Sequence, residues 1–190
     1  MLLKLFNKSY FDTPKPINLI KHFLKLSTIN NEHNIILDFF SGSATTAHSV
    51  MQLNSEDNKN RKYICVQIPE ATDEKSESYK AGYKNICEIG KERIRRAGEK
   101  IKEDNQDKDL SNLDIGFKVF KLDSSNIKEW DSDFETIEKD LIEAIENIKE
   151  DRTSQDLLYE ILLKYGLDLT IDIQEKIIND KKVFIVGFGK

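Results

Sequence analysis

Asp38-Phe39-Phe40-Ser41-Gly42-Ser43-Ala44-Thr45-Thr46-Ala47-His48 follows directly on the apolar run Ile35-Ile36-Leu37, and a helix-compatible stretch comes after it. This order is a strand, a tight turn of small residues and a helix start, with an acid at the end of the strand. The first N–H groups of a helix have no partner within it, so such a turn offers donors to a charged or polar group. Taken alone, the element predicts a nucleotide-like cofactor and no more.

Outward from this stretch the chain reads as alternating helices and strands. On the N-terminal side, Thr13 is expected to cap a helix with Pro14 at its first position, where proline loses no needed N–H. Ile17, Ile20, Phe23, Leu24 and Ser27 then recur on one helical face. A polar turn over 30–34 precedes the strand. After the turn, a helix over 44–54 carries Val50, Met51 and Leu53, and a loop over 54–60 follows. Residues 62–68 read as a buried second strand, stopped by Pro69 because proline cannot donate to a ladder. Tyr83, Ile86, Cys87, Gly90, Ile94, Ala97 and Ile101 predict a helix over 80–103. Strand, helix, strand, helix with short loops predicts parallel pairing and an α/β layer fold.

The charged run over 105–112 is the expected boundary, dividing the chain into residues 1–104 and a C-terminal α+β segment, 105–190. Beyond it, residues 116–122 read as a strand, and Phe134, Ile137, Leu141, Ile145 and Ile148 as one helix. Leu157, Leu158, Ile161, Leu162 and Tyr165 mark another, with Thr153 and Asp156 at capping-box spacing and Gly166 placed to end it left-handed. Apolar runs on either side of Asn179-Asp180-Lys181-Lys182 predict a terminal hairpin.

The chain has 190 residues, enough for a substantial core, and a net charge of −5 with 33% charged residues. Its surface as a whole is therefore not a polyanion-binding one, and any contact with DNA needs a local patch or a partner. Lys91, Arg93, Arg95, Arg96 and Lys100 could form such a patch, but the interleaved Glu88, Glu92, Glu99 and Glu103 favour a salt-bridged, solvated helix. The 3 His and 2 Cys are too few and too scattered for a zinc site. Cys65 and Cys87 read as free thiols and His48 as a structural histidine, with Trp130 and Phe134 as core. No stretch approaches the ~20 apolar residues of a membrane span. A soluble, cytoplasmic protein is expected.

Three motifs occur in order: Phe11-Asp12-Thr13-Pro14-Lys15-Pro16, the segment from Asp38, and Arg61-Lys62-Tyr63-Ile64-Cys65-Val66-Gln67-Ile68-Pro69-Glu70. They resemble motif X, motif I and the second-strand motif of the DNA adenine-N6 methyltransferases, with the nearest likeness to the modification (Mod) subunits of type III restriction-modification systems. The likeness continues through Gly90-Lys91-Glu92-Arg93-Ile94-Arg95-Arg96-Ala97-Gly98, Gly116-Phe117-Lys118-Val119-Phe120-Lys121-Leu122-Asp123 and Leu162-Leu163-Lys164-Tyr165-Gly166-Leu167.

This resemblance implies a partial, Rossmann-like S-adenosylmethionine (SAM) methyltransferase sheet, with a mainly helical C-terminal segment and hairpin. It implies that Asp38 attracts the ammonium group of the cofactor's methionine end, directly or through water. Gly42 lets the backbone approach, Phe40 supplies an apolar wall, and Thr45, Thr46 and Lys15 meet the carboxylate. The helix start itself favours that carboxylate by roughly 0.3–1 kcal/mol. Gln67 and Glu70 stand where many SAM enzymes place an acid for the ribose. Ala44 replaces a glycine usual in the family's loop, which a right-handed backbone would tolerate and a left-handed one would not.

The parent reaction implied is methyl transfer to the N6 amino group of adenine in DNA, on a flipped-out base. The gripping motif of that family is Asp-Pro-Pro-Tyr, and here Pro14, Pro16 and Pro69 are the only prolines, none adjacent. The resemblance therefore implies the C-terminal, cofactor-binding half of a larger enzyme, inactive alone. DNA would be reached through the intact enzyme, with the upstream half, a second Mod subunit and the restriction subunit Res as partners. The alternative is a non-catalytic module that binds Mod or Res. An NAD-type Rossmann enzyme fits poorly, since the loop lacks GxGxxG and the acid follows the first strand rather than the second.

Overall fold

A computed structural model describes residues 2–28, 34–111, 113–128 and 147–187. They form two compact units, Met1–Phe117 and Lys118–Lys190. The first contains helices α1 (Leu2–Phe6) and α2 (Ile17–Ser27), strand β1 (Ile35–Asp38), helix α3 (Thr45–Asp57), strand β2 (Lys62–Cys65), the short α4 (Glu77–Lys80) and the long α5 (Ile86–Asp104). Strands β1 and β2 pair in parallel, from Ile35 opposite Lys62 to Asp38 opposite Cys65. Parallel neighbours need a crossover, and α3 provides it.

Helix α3 lies at the centre of this unit, against α2, α5 and β2. Ten of its thirteen residues are buried, including Val50, Met51 and Leu53. Each of those three side chains contributes roughly 1.5–3 kcal/mol by leaving water. Ala44, Ala47 and Met51 pack with Ile94, Ala97 and Ile101 of α5, while Val50 and Leu53 pack with Leu24 of α2. Tyr63 joins both groups of contacts from the sheet side. The small Ala47, Ser49 and Ser55 let neighbours approach α3 closely on several sides.

Several features differ from the expectation, among them α3, which runs on to Asp57 into the residues expected as a loop. Helix α2 starts at Ile17, after Pro16 in an extended conformation at the N-cap. Lys15 precedes that proline and is pushed out of helical geometry, so no helix can begin at Pro14. On α2, Ile17 and Leu24 are buried, but Phe23 is 57% exposed. The helix expected over 80–103 starts only at Ile86, where the Asn85 side chain accepts from the Glu88 N–H; Gly82, at φ +95, ends α4 before it. Tyr83 lies outside α5 and packs against Phe6 and Tyr10. Finally, β2 is not buried on both faces. Ile36 and Tyr63 face the helices, while Ile35 (67%), Leu37 (61%), Ile64 (50%) and Val66 (39%) are exposed. No element among the described residues covers that side of the sheet.

Residues 116–122 form no strand. Leu113, Ile115 and Phe117 instead pack onto the helical core of the first unit, and Ile115 lies against Gly98 of α5. In the second unit, α6 (Ser154–Lys164) opens with a complete Thr153–Asp156 capping box and ends at Gly166, φ +69. Strands β3 (Ile173–Ile178) and β4 (Lys181–Val186) form an antiparallel hairpin. Its turn is only Asn179 and Asp180, at φ 48 and 59, as a two-residue primed turn requires, so Lys181 and Lys182 belong to the strand. The helix expected over 134–148 lies outside the described residues except for Asn147 and Ile148, and Ile148 bridges to Ile127 instead of continuing a helix; Trp130 and Phe134 also lie outside them.

Candidate cofactor site

The ends of β1 and β2 hold the turn between β1 and α3 from one side. The Val66 N–H donates to the Asp38 carbonyl (2.9 Å), and the Ser41 N–H donates to the Val66 carbonyl (3.1 Å). Gly42 has φ +51, and its N–H donates to Oε1 of Gln67 at 2.7 Å. A Cβ at Gly42 would lie 3.3 Å from the ring of Phe11. The proline-containing segment before α2 is thereby packed on the turn itself.

Ala44 occupies the N-cap of α3 at φ 57, ψ 42, the left-handed region. That conformation costs an L-residue roughly 1–2 kcal/mol. Its methyl is buried against α5, where Gly90 leaves room: a Cβ at Gly90 would stand 3.4 Å from the Gly42 carbonyl and 3.5 Å from the Ala44 Cβ. The Thr46 hydroxyl donates to Oδ2 of Asp38 at 2.5 Å, joining the strand's final acid to the first turn of α3.

Arg93 reaches the turn from below. It is 1% exposed, and Nη1 donates to the Ser43 carbonyl (3.2 Å), Ser43 Oγ (2.8 Å) and Thr45 Oγ1 (2.7 Å). Burial pulls its pKa down to about 10. His48, one turn into α3, is 2% exposed. Burial, with the Arg93 and Lys21 charges, holds its pKa down to about 3, so the ring is neutral at ordinary pH. Burial and the neighbouring Asp38 push the Cys65 thiol up to about 11. Cys65 and Cys87 are both free. Among the described residues no cluster of His, Cys, Asp and Glu is placed to hold a metal, and no helix is long and apolar enough to cross a membrane.

Residues 4–97, which include this turn and most of α5, match the family described as DNA methylase. That segment belongs to the DNA methylase family. The chain is 43% identical over 121 residues to the type III restriction-modification enzyme StyLTI Mod subunit of Salmonella typhimurium, covering 64% of this chain and 18% of that one. It is 38% identical over 120 residues to the EcoPI Mod subunit of Escherichia phage P1, covering 62% and 17%. It is 36% identical over 88 residues to the type II methyltransferase M.KpnI of Klebsiella pneumoniae, covering 46% and 21%. The chain thus spans less than a quarter of the length of these relatives.

Within the methylase segment, Asp38, Gly42, Thr45, Thr46 and Gln67 come together at the turn. Lys15 and Glu70 are solvent-exposed, and Phe40 is 71% exposed, edge-on to Phe39. Thr45 turns its hydroxyl inward to Arg93, and Gln67 uses its carbonyl oxygen on Gly42. Two contributors lie in the motif segments but were assigned no role by them, Phe11 and Arg93, and Arg93, expected on a salt-bridged, solvated face, is instead buried at 1% exposure. Arg93 did leave a signal: it falls on the apolar stripe of α5, three residues after Gly90 and four before Ala97, where a charge has no solvent to face. Four other basic residues of α5 pair along its surface, Lys91 with Glu88, Arg95 and Arg96 with Glu92, and Lys100 with Asp104.

Proposed function

We propose that this chain supplies the S-adenosylmethionine-binding part of a site-specific DNA adenine-N6 methyltransferase of the type III modification kind. The observation that carries this reading is the turn between Asp38 and Thr46. A strand-end acid, a left-handed glycine and the start of α3 meet there, in a segment of the DNA methylase family. The residues present fit the cofactor. A side chain at Gly42 would press on Phe11 and disturb the turn, the first N–H groups of α3 can receive a carboxylate, and Asp38 can receive an ammonium group.

In this reading Asp38, oriented by Thr46, holds the ammonium end. Thr45, Thr46 and Lys15 serve the carboxylate, and Phe40 walls the adenosine. Gln67 braces the turn through Gly42, its amide nitrogen donating to the Ile68 carbonyl, and with Glu70 is a candidate for the ribose. The bound cofactor supplies an electrophilic methyl group for the adenine amino nitrogen. No residue of this chain is assigned to the chemical step, because it has no Asp-Pro-Pro-Tyr motif to grip the flipped base. An upstream half, on the same or a separate chain, would provide that motif, and this chain alone would be inactive. DNA, a second Mod subunit and Res are the partners of the intact enzyme, which would work in the cytoplasm. Residues 1–104 would form the SAM-binding part of a Rossmann-like sheet and 105–190 the C-terminal segment. The bare sheet side at Ile35, Leu37, Ile64 and Val66 supports a missing neighbour, because parallel sheets are ordinarily covered on both faces.

That exposed apolar side also favours a second reading, a non-catalytic module that binds Mod or Res without cofactor. Calorimetric titration with SAM, in wild type and Asp38→Ala, separates the two. Saturable binding that the substitution abolishes is expected. A folded chain that takes up no SAM would leave only the module, whereas equal binding without Asp38 would keep the cofactor and remove Asp38 from its site.

A further inference from the structure

Arg93 has a role that the motifs do not assign. Among the described residues no carboxylate pairs with it, although it is 1% exposed and the largest of the fully buried side chains. Its hydrogen bonds go to neutral oxygens of Ser43 and Thr45, and its Nε has no partner. A buried cation without a counter-charge is costly. Here it also points at the N-terminus of α3, which carries a positive partial charge of its own. Two positive features converge on one turn, and its one neighbouring acid, Asp38, is bonded to Thr46 and not to Arg93. A structural clamp alone would need the hydrogen bonds but not the charge.

Resting on the SAM reading, we propose that Arg93 is a positioning residue for a carboxylate-bearing ligand: it shapes the 43–45 turn and lends it the positive charge that the ligand's carboxylate neutralises. Arg93 acts through Ser43 and Thr45. Gly90, one turn earlier on α5, makes this possible by letting the helix close on the turn. The arrangement also explains how a left-handed Ala44 is held, since the residues on both sides of it are tied to one guanidinium.

The test compares two ligands that differ only in the carboxylate, SAM and decarboxylated SAM, titrated calorimetrically into the full chain. Wild type should prefer SAM. Arg93→Met should weaken SAM by at least about tenfold, about 1.4 kcal/mol, with decarboxylated SAM held within about twofold. Arg93→Lys should restore part of the preference. If Arg93→Met does not fold, Ser43→Ala with Thr45→Val removes two of the three acceptors and should reduce the preference in the same direction. Equal losses for both ligands in any folded variant would make Arg93 a scaffold and overturn the proposal. Wild type binding both ligands equally would overturn it while leaving the SAM reading intact. Wild type binding neither would remove the SAM reading and this inference with it.

Discussion

Acidification should destabilise the first unit through His48. His48 is 2% exposed, its Nδ1 has no partner, and its pKa is held down to about 3 by burial and by the Arg93 and Lys21 charges. An unfolded histidine titrates near ~6.5. Because the folded pKa is the lower one, the unfolded chain takes up the proton first. The stability due to neutral His48 is whole above pH ~6.5 and is lost as pH falls toward the folded value. Between these limits the slope approaches about 1.4 kcal/mol per pH unit, giving a loss of about 2 kcal/mol from pH 6.5 to 4.5. Any folded pKa below 4 gives nearly this loss, so the argument does not depend on the last unit. The carboxylate of Asp57, lowered by its bonds to Arg61 against the opposing effect of burial, acts only in more acid solution. His22 is exposed and His33 lies outside the described residues. Urea unfolding followed by circular dichroism at half-unit pH steps, in wild type and His48→Gln, reads the effect directly. The variant should be flatter by about 2 kcal/mol across the window. Parallel pH profiles in the two proteins would show that His48 is not the responsible group.

The guanidinium of Arg61, 4% exposed, bonds Thr28 on the α2 side, Asn54, and both oxygens of Asp57. Arg61→Ala should cost about 3 kcal/mol in urea unfolding, since it strands those partners and leaves a void. A loss under about 1 kcal/mol would mean that water replaces the side chain, as at a surface pair. On α5, a Cβ at Gly98 would stand 3.0 Å from Ile115 Cβ and 3.1 Å from its Cδ1, whereas one at Gly90 meets nothing closer than 3.4 Å. Gly98→Ala should therefore lose about 1–3 kcal/mol and loosen the 113–117 segment, seen as faster amide exchange there. Gly90→Ala should be milder, and the reverse ranking would refute the packing argument.

The strand–turn–helix at Asp38 was legible because its signals are local: an apolar run, small residues, then a helix-compatible stretch. The capping box at Thr153 and the left-handed Gly166 were legible for the same reason. Helix starts were not legible where two local rules compete. Thr13 and Pro14 look like a cap and first position, but Pro16 enforces an extended Lys15 and delays α2 to Ile17. In the same way the apolar period continues through Tyr83, but Gly82 and the Asn85 cap settle the start of α5. The strand expected over 116–122 failed because an apolar-bearing run does not say that another strand lies beside it, and Phe117 packs on the helical core instead. At the site, Asp38, Gly42, Thr45, Thr46 and Gln67 were found by motif. Phe11 and Arg93 act across 31 and 48 residues of sequence, and only packing brings them to Gly42 and Thr45.

The sheet of the first unit and its turn cannot be separated energetically. Strands β1 and β2 are four residues each and covered on one side only, which makes them marginal as a sheet. What holds them lies at their two ends. Arg61 ties the start of β2 to α2 and to the C-terminal end of α3. At the other end, the Ser41–Val66 and Gly42–Gln67 bonds tie the strand ends to the turn. The second set is also the floor of the candidate site. A neighbour that covered Ile35, Leu37, Ile64 and Val66 would bind only the folded sheet, and so would stabilise it by mass action. It would thereby also stabilise the turn. A ligand in the turn favours the same folded strand ends, so the energetics of occupying the site and of covering the bare side are coupled through these few hydrogen bonds.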